Sequence, residues 1–428
     1  MPISVALINT YTAGGGAGIA CARLYKALND EGSIETLLIN DGQIQSNPDK
    51  ILPLKKWAKY SNLFRYFTER FLVKSALKKD EWGSLFSPAI LSNPSSINTI
   101  KNNRSNILHL HWINHGFLGL DSLHKLRFLK RPIVWTLHDM WAFTGGCHHS
   151  MDCNGFQSEC GSCLYLSKPS SKDLSHQIWK KKKAFFNSLD ITVVCPSNWL
   201  ANKARESSLF KHRRIEVIPN PLDCNTFKPT DKNLAKSELK LPADKKHICF
   251  VSANINSPFK GINKLIDALK TLETLYVDAS EIEIIVLGKI DSEDLFADLT
   301  FKAHFGGYIT SEAEMVSYYN AADVFVLPSL QDNLPNTVME ALACGTPVAA
   351  FDTGGVSDMV DENVGYLAKY NDSDDLAQGL FELLSNDNDR LRKGINAVEK
   401  VKTKFSYPVV AKKYSELYHQ VVKQYQSA

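Results

Sequence analysis

Short apolar runs alternate with helical stretches along this chain, and the pattern occurs twice. In the first half the runs are Ile3–Ile8, Ile107–Leu110, Ile133–Leu137 and Ile191–Cys195. In the second half they are His247–Ser252, Ile282–Leu287, Val324–Leu327 and Val348–Phe351. Strands that alternate with helices form parallel sheets covered on both faces. Two such sets predict two doubly wound α/β domains, each offering the carboxyl ends of its strands to a ligand. The 428 residues suit that division. Ile218–Asp223, IPNPLD, holds two prolines and leaves little room for regular structure, so a linker is expected there. Residues 1–218 then form one domain and 219–406 the other. Tyr407–Val422 reads as a last helix, with Val410, Tyr414, Leu417 and Val421 on one stripe.

Composition narrows the class. Hydrophobic content of 44% is ordinary for a globular chain, and a net charge of +3 provides no global field for nucleic acid. No apolar run approaches about 18 residues, and MPISVALINT reads as a first strand rather than a leader. Nine scattered cysteines predict reduced thiols and a cytoplasmic address.

The segment Pro328–Gly345, PSLQDNLPNTVMEALACG, carries the chemistry. A strand ends at Leu327 and a polar loop follows with Asp332 and Asn333. Pro335 is expected at the first helical position, where its missing N–H costs nothing. Gly345-Thr346-Pro347 should end the helix. The N–H groups of Asn336 and Thr337 would then face outward with the positive end of the helix dipole, a site for a diphosphate. Two carboxylates beside it, Asp332 and Glu340, do not favour phosphate and are better used as acceptors for hydroxyls. A diphosphate flanked by hydroxyls is a nucleotide-sugar.

This segment resembles the acidic signature of family 4 glycosyltransferases, retaining enzymes of the GT-B fold with two Rossmann-like domains facing a central cleft. Two Glu flank seven residues in that signature; here Asp332 takes the first place and Glu340 the second. The variant resembles a subgroup building bacterial surface polysaccharides of the exopolysaccharide and colanic-acid type. The resemblance implies that residues 407–428 cross back to the first domain. It also implies that Asp332 accepts from the sugar's hydroxyls, that Glu340 accepts from the ribose, and that no metal serves transfer.

Other motifs are read beside it. Tyr11–Gly18 is a glycine-rich turn after the first strand, whose Gly15 and Gly16 allow close approach of phosphate or sugar. It lacks the acidic residue of a dinucleotide site. Thr136-Leu137-His138-Asp139 ends a buried strand; the resemblance places His138 beside the donor sugar, and Asp139 is expected to cap the next segment. Lys260, at a strand-to-helix turn, would meet the diphosphate without the second basic residue common in the family. With Asp332, Glu340 and His138 it makes up the catalytic set, and Asn333, Pro335, Asn336 and Thr337 complete the donor site. Gly354-Gly355 would shape the cleft floor. Asp372-Ser373-Asp374 has the form of a metal-binding DxD but reads as an N-cap cluster before a helix.

Cys147, Cys153, Cys160 and Cys163 fall within 17 residues, with His148 and His149 between. They suit a structural zinc, against the alternatives of packed reduced thiols or a disulfide. Leu54–Lys79 mixes Lys55, Lys56, Lys59, Arg65, Arg70, Lys74, Lys78 and Lys79 with Trp57, Leu63, Phe64, Phe67, Phe71 and Leu72. It fits docking on an anionic membrane, and the Lys180–Lys183 run adds to that surface or forms a solvated face.

The expected protein is a metal-independent hexosyltransferase, peripheral on the inner face of the plasma membrane. It moves sugar from a UDP- or GDP-linked donor to a glycan or lipid-linked saccharide. A non-catalytic nucleotide-sugar or glycan-binding subunit of the same fold is the alternative.

Overall fold

The computed structural model describes residues 3–11, 15–40, 43–47, 50–53, 57–79, 85–276 and 278–427. The chain divides into two units, Met1–Pro221 with Tyr407–Ala428, and Leu222–Ser406.

The first unit holds eight strands: β1 (Ile3–Ile8), β2 (Ile34–Asn40), β3 (Gln43–Asn47), β4 (Lys50–Pro53), β5 (Ile107–Leu110), β6 (Ile133–Thr136), β7 (Ile191–Cys195) and β8 (Ile215–Val217). Their order is β4-β3-β2-β1-β5-β6-β7-β8. Six run parallel, while β3 and β4 add antiparallel at the edge. β5, β6 and β7 are buried at every position, as continuous apolar runs between two helical layers should be. The helix Tyr407–Ser427 buries Val410, Tyr414, Leu417 and Val421 against the core made by β1 and the helix Gly15–Glu31.

The second unit holds β9 (Lys246–Asn254), β10 (Ile282–Lys289), β11 (Lys302–Gly307), β12 (Val324–Leu327), β13 (Val348–Phe351) and β14 (Gly365–Ala368). All are parallel, in the order β11-β10-β9-β12-β13-β14. That is the doubly wound order, and it reverses direction between β9 and β12. β9 leads to Lys260 and β12 leads to Asp332.

Two expectations are corrected, and a third is extended. Pro335 is the N-cap of the helix Asn336–Ala343, with extended backbone, rather than its first residue. Lys182 is neither part of a basic surface nor solvated: it is buried, donates to the carbonyls of Trp141 and Thr144, and lies 3.6 Å from the Trp141 ring centroid. Asp139 caps Trp141 as expected, but its second oxygen serves other partners near the end of β6. Lys55 and Lys56, and Thr12 to Gly14 of the glycine turn, lie outside the described residues.

Candidate active site

Two glycines set the position of the acidic loop. Gly261 has φ +72 and an added Cβ would stand 1.9 Å from the Pro328 carbonyl oxygen; Gly354 has φ +57 and its Cβ would stand 1.7 Å from that of Asp332. Both positions need the left-handed backbone and the missing side chain. Hydrogen bonds hold the same loop. Leu330 N donates to Phe259 O at 2.8 Å, Thr353 Oγ1 to Leu330 O at 2.7 Å and Gly355 N to Asp332 O at 3.0 Å. Lys260, closing the short turn Pro258–Lys260, reaches Asp332: Nζ to Oδ2 is 2.6 Å. Lys260 is thus ion-paired at the turn, and its partner is acidic rather than basic. The pair sets a cation and a carboxylate side by side on this loop.

The helix Asn336–Ala343 begins beside this pair. Asn333, Pro335 and Asn336 are buried, and Thr337 is half-buried. Its end is a Schellman turn: Gly345, with φ +78, donates to Leu342 O and Thr346 donates to Ala341 O. Glu340 is buried, and Oε2 accepts from the Tyr319 hydroxyl at 2.8 Å. Tyr319 was not singled out in the sequence; it lies on another helix, and no local pattern links the two. Asp372 accepts from Asp375 N at 3.0 Å and caps the helix Ser373–Ser385, which accounts for the DSD cluster.

In the first unit, His138 follows the carboxyl end of β6. Its Nε2 lies 3.0 Å from His111 Nδ1. His111 follows β5 and was missed, although the alternation His109-Leu110-His111 puts both histidines on one side of a strand end. His109 lies beneath. It meets the Tyr418 hydroxyl at 2.7 Å and Thr136 Oγ1 at 2.8 Å, and Thr136 meets the Tyr414 hydroxyl at 2.9 Å. The last helix thus props the two strands that carry the histidines. Burial, the main cause, lowers His138 to about 4, His109 to about 3 and His111 well below its ordinary value. All three are neutral near pH 7. His111 Nε2 is buried with no hydrogen-bond partner. One of the two facing nitrogens, His111 Nδ1 or His138 Nε2, donates to the other.

Asp139 turns away from His138. Its Oδ2 accepts from Trp112 Nε1 at 3.0 Å and lies 2.7 Å from His148 Nδ1. The charge and hydrogen bond of His148 outweigh burial and hold Asp139 down at about 2. His148 is therefore engaged with Asp139 rather than with the cysteines. Gly15, with φ +70, has open space where a side chain would begin, and Gly16 beside it is exposed.

The four cysteines line one cavity of about 20 Å³. Gly145 N donates to Cys160 Sγ at 3.1 Å and Gly155 N to Cys153 Sγ at 3.5 Å. Burial raises Cys147 far above the usual thiol range and pushes Cys160 and Cys163 up to about 11. The sulfurs surround the cavity without closing on one point. Among the described residues, the set of three His, Cys or acidic ligand atoms all within 4.8 Å of one another lies elsewhere, at His247, Glu283 and His304.

The helix Trp57–Val73 exposes Tyr60, Leu63, Phe64, Phe67, Phe71 and Leu72, each more than half accessible. Its acidic residue faces inward: Glu69 is 2% exposed and accepts from the backbone N–H of Ala89, Ile90 and Leu91. Tyr66 packs on His115, with ring centroids 4.3 Å apart, and His115 Nδ1 meets the Tyr11 hydroxyl at 2.7 Å. Among the described residues no helix is long and apolar enough to cross a membrane.

Comparison with known proteins agrees with this geometry. Residues 14–226 match Glycosyltransferase Family 4, and residues 231–400 match Glycosyl transferases group 1. WcaC of Escherichia coli, a glycosyl transferase assigned to colanic acid biosynthesis, is 26% identical over 273 residues, covering 60% of this chain and 63% of WcaC. CapM of Staphylococcus aureus, a capsular polysaccharide biosynthesis glycosyltransferase, is 24% identical over 253 residues, covering 57% and 65%. The match spans just under two thirds of each relative. Sucrose-phosphate synthase from Thermosynechococcus elongatus superposes with a TM-score of 0.69 at 19% identity, over 99% of this chain and 100% of that one. Anabaena HepE in complex with UDP and glucose superposes at 0.62 and 16%, over 98% and 100%. At such identities these structures speak for the fold alone. The order of strands, the acidic segment at the switch point and the two family matches agree, and the chain belongs to the family 4 glycosyltransferases of the GT-B fold.

Proposed function

We propose that this protein is a retaining, metal-independent hexosyltransferase that uses a UDP- or GDP-linked sugar in the synthesis of a bacterial surface polysaccharide. The observation that carries the reading is the Lys260–Asp332 pair at 2.6 Å beside the start of the helix Asn336–Ala343. Lys260 and the helix-start amides would meet the diphosphate and the charge it gains on leaving. Asn333, Pro335, Asn336 and Thr337 would shape that donor site; in the first unit, Gly15 and Gly16 would leave room for phosphate or sugar. Asp332 would accept from the sugar's hydroxyls, Glu340 from the ribose, and the His138 ring would donate to a sugar hydroxyl or support charge at the reacting centre. The leaving phosphate would take the acceptor hydroxyl's proton on the same face, which preserves configuration and needs no protein base. The WcaC and CapM relatives support the pathway type. A thermal-shift screen against a panel of nucleotide-sugars, followed by nucleotide release with and without acceptor, tests it. Binding without acceptor-dependent release would leave a nucleotide-sugar-binding subunit instead.

The acceptor would be a lipid-linked saccharide at a membrane surface. Six exposed apolar side chains on one helix, with Lys74, Lys78 and Lys79 exposed just beyond, suit the interface of an anionic bilayer. The chain would then work on the cytoplasmic face of the plasma membrane. Phe64→Ser, Phe67→Ser and Phe71→Ser together should abolish sedimentation with anionic vesicles and spare nucleotide binding. Equal sedimentation of the triple variant would refute the docking face.

The cysteine cavity fits a structural zinc by its donor set. Cys147, Cys153, Cys160 and Cys163 offer four sulfurs, and two already accept backbone N–H bonds. Zinc would supply no transfer chemistry; it would stabilise the thiolates that burial disfavours and order the loop.

A further inference from the structure

A second group of metal-binding side chains stands at the opposite end of the second sheet from Lys260 and Asp332. His247 is the second residue of β9, Glu283 the second of β10 and His304 the third of β11. Register explains the meeting: Glu283 pairs directly with His247, and His304 pairs with Ile285, one diagonal step from Glu283. Glu283 Oε2 lies 2.6 Å from His304 Nε2 and 3.6 Å from His247 Nε2. One atom from each of the three falls within 4.8 Å of the others.

The independent observation is His247. Its side chain is fully buried, and neither ring nitrogen makes a hydrogen bond. Buried polar groups are normally satisfied, and each exception asks for a missing partner. Glu283 is buried as well, while His304 is half-buried and leaves a way in from solvent. The proposed transfer uses none of these residues.

We propose that His247, Glu283 and His304 form a binding site for a divalent transition-metal ion of the zinc class. Two imidazoles and one carboxylate are a zinc donor set, with a fourth position left for water. Ligands 2.0–2.1 Å from a tetrahedral ion stand about 3.3 Å apart. The His247–Glu283 separation is already close to that. The His304–Glu283 contact must open by about 0.7 Å on the same geometry. β11 is the edge strand, so His304 can give way without disturbing the core. Lys236 opposes a nearby cation, but its Nζ is engaged with the carbonyls of Ala243 and Lys245 and lies 3.9 Å from Asp323. Asp323 also fixes the backbone of His247, accepting from its N–H at 2.9 Å. An ion here would fasten β11 and β10 to β9.

Zinc titration and metal analysis of the full chain test this, with His304→Ala and Glu283→Gln as variants. Glu283→Gln keeps an oxygen for His304, so it serves if His304→Ala fails to fold. Each variant should lose one bound ion per chain. Affinity should fall by more than the ten- to hundredfold typical of an outer-shell partner. Cobalt substitution separates this ion from one at the cysteines: only thiolate ligation gives intense sulfur-to-metal absorption, so the variants should lose the part of the spectrum without it. Equal metal content and an equal zinc-induced rise in melting temperature in wild type and both variants would overturn the site.

Discussion

Glu340→Gln replaces one carboxylate oxygen by an amide nitrogen and keeps the shape. In the folded chain without ligand, two effects oppose. The bond from the Tyr319 hydroxyl, 2.8 Å long, changes from charge-assisted to neutral and weakens by about 1 kcal/mol. The cost of burying a carboxylate at a position 6% exposed disappears. The amide oxygen still accepts from Tyr319, so the net change in stability stays within about 1 kcal/mol, a few degrees at most. A ribose hydroxyl donating to Glu340 has no such compensation. Losing a charge-assisted bond costs about 1.5–3 kcal/mol, roughly ten- to a hundredfold in affinity. Calorimetric titration with a nucleoside diphosphate and with the nucleotide-sugar reads this directly, since both carry the ribose. The two affinities should fall together. Asp332→Asn, assigned to the sugar, should weaken the nucleotide-sugar and spare the nucleoside diphosphate. A folded Glu340→Gln chain with unchanged nucleotide affinity would refute the ribose contact.

Gly354→Ala should shift the Asp332 loop by more than 1 Å, because the new Cβ starts 1.7 Å from the Asp332 carbonyl oxygen. Left-handed strain adds about 1–2 kcal/mol, and a displacement of that size should lower kcat/KM about a hundredfold; activity within twofold of wild type would show that the loop position is not critical. His109, His115 and His138 have folded values of about 3, 3 and 4, below the ordinary 6.5, chiefly through burial. The unfolded chain therefore binds more protons between about pH 4 and 6.5, so the stability from these groups is complete above 6.5 and lost as pH falls toward 4. Each contributes a slope of about 1.4 kcal/mol per pH unit, and a melting temperature that is flat from pH 7 to 5 would contradict it. EDTA should leave turnover unchanged over minutes, and a loss restored by Mg²⁺ or Mn²⁺ would end the metal-free reading. Cys160→Ser should lower the melting temperature and the zinc content together while nucleotide binding persists; full activity in metal-free protein with four titratable thiols would decide for packed thiols.

Much of the fold was legible in the order of residues because periodicity is local. Buried parallel strands such as Ile191–Cys195 show as unbroken apolar runs, and the stripe Val410, Tyr414, Leu417, Val421 marks one face of a helix. Strands with mixed composition were not visible: Ile215–Val217 is short and half-buried, and Lys302–Gly307 is an edge strand carrying Lys302 and His304. The acidic segment, its terminal glycine and the Asp372 cap were readable for the same reason, since each acts through neighbours a few residues away. What pairs with what across the chain was not. Lys260 and Asp332 are 72 residues apart and meet because β9 and β12 are adjacent at the switch point. His111 and His138, 27 residues apart, meet through adjacent strand ends, and the burial that keeps them neutral exists only in the assembled sheet. Lys182 shows the same limit in reverse: in a run of four lysines it looks solvated, and only the packing of its helix on Trp141 puts that one side chain inside. Spacing along a chain reports a residue's neighbours within one element; desolvation and long-range pairing depend on which elements lie side by side, and that is set by the assembled sheets.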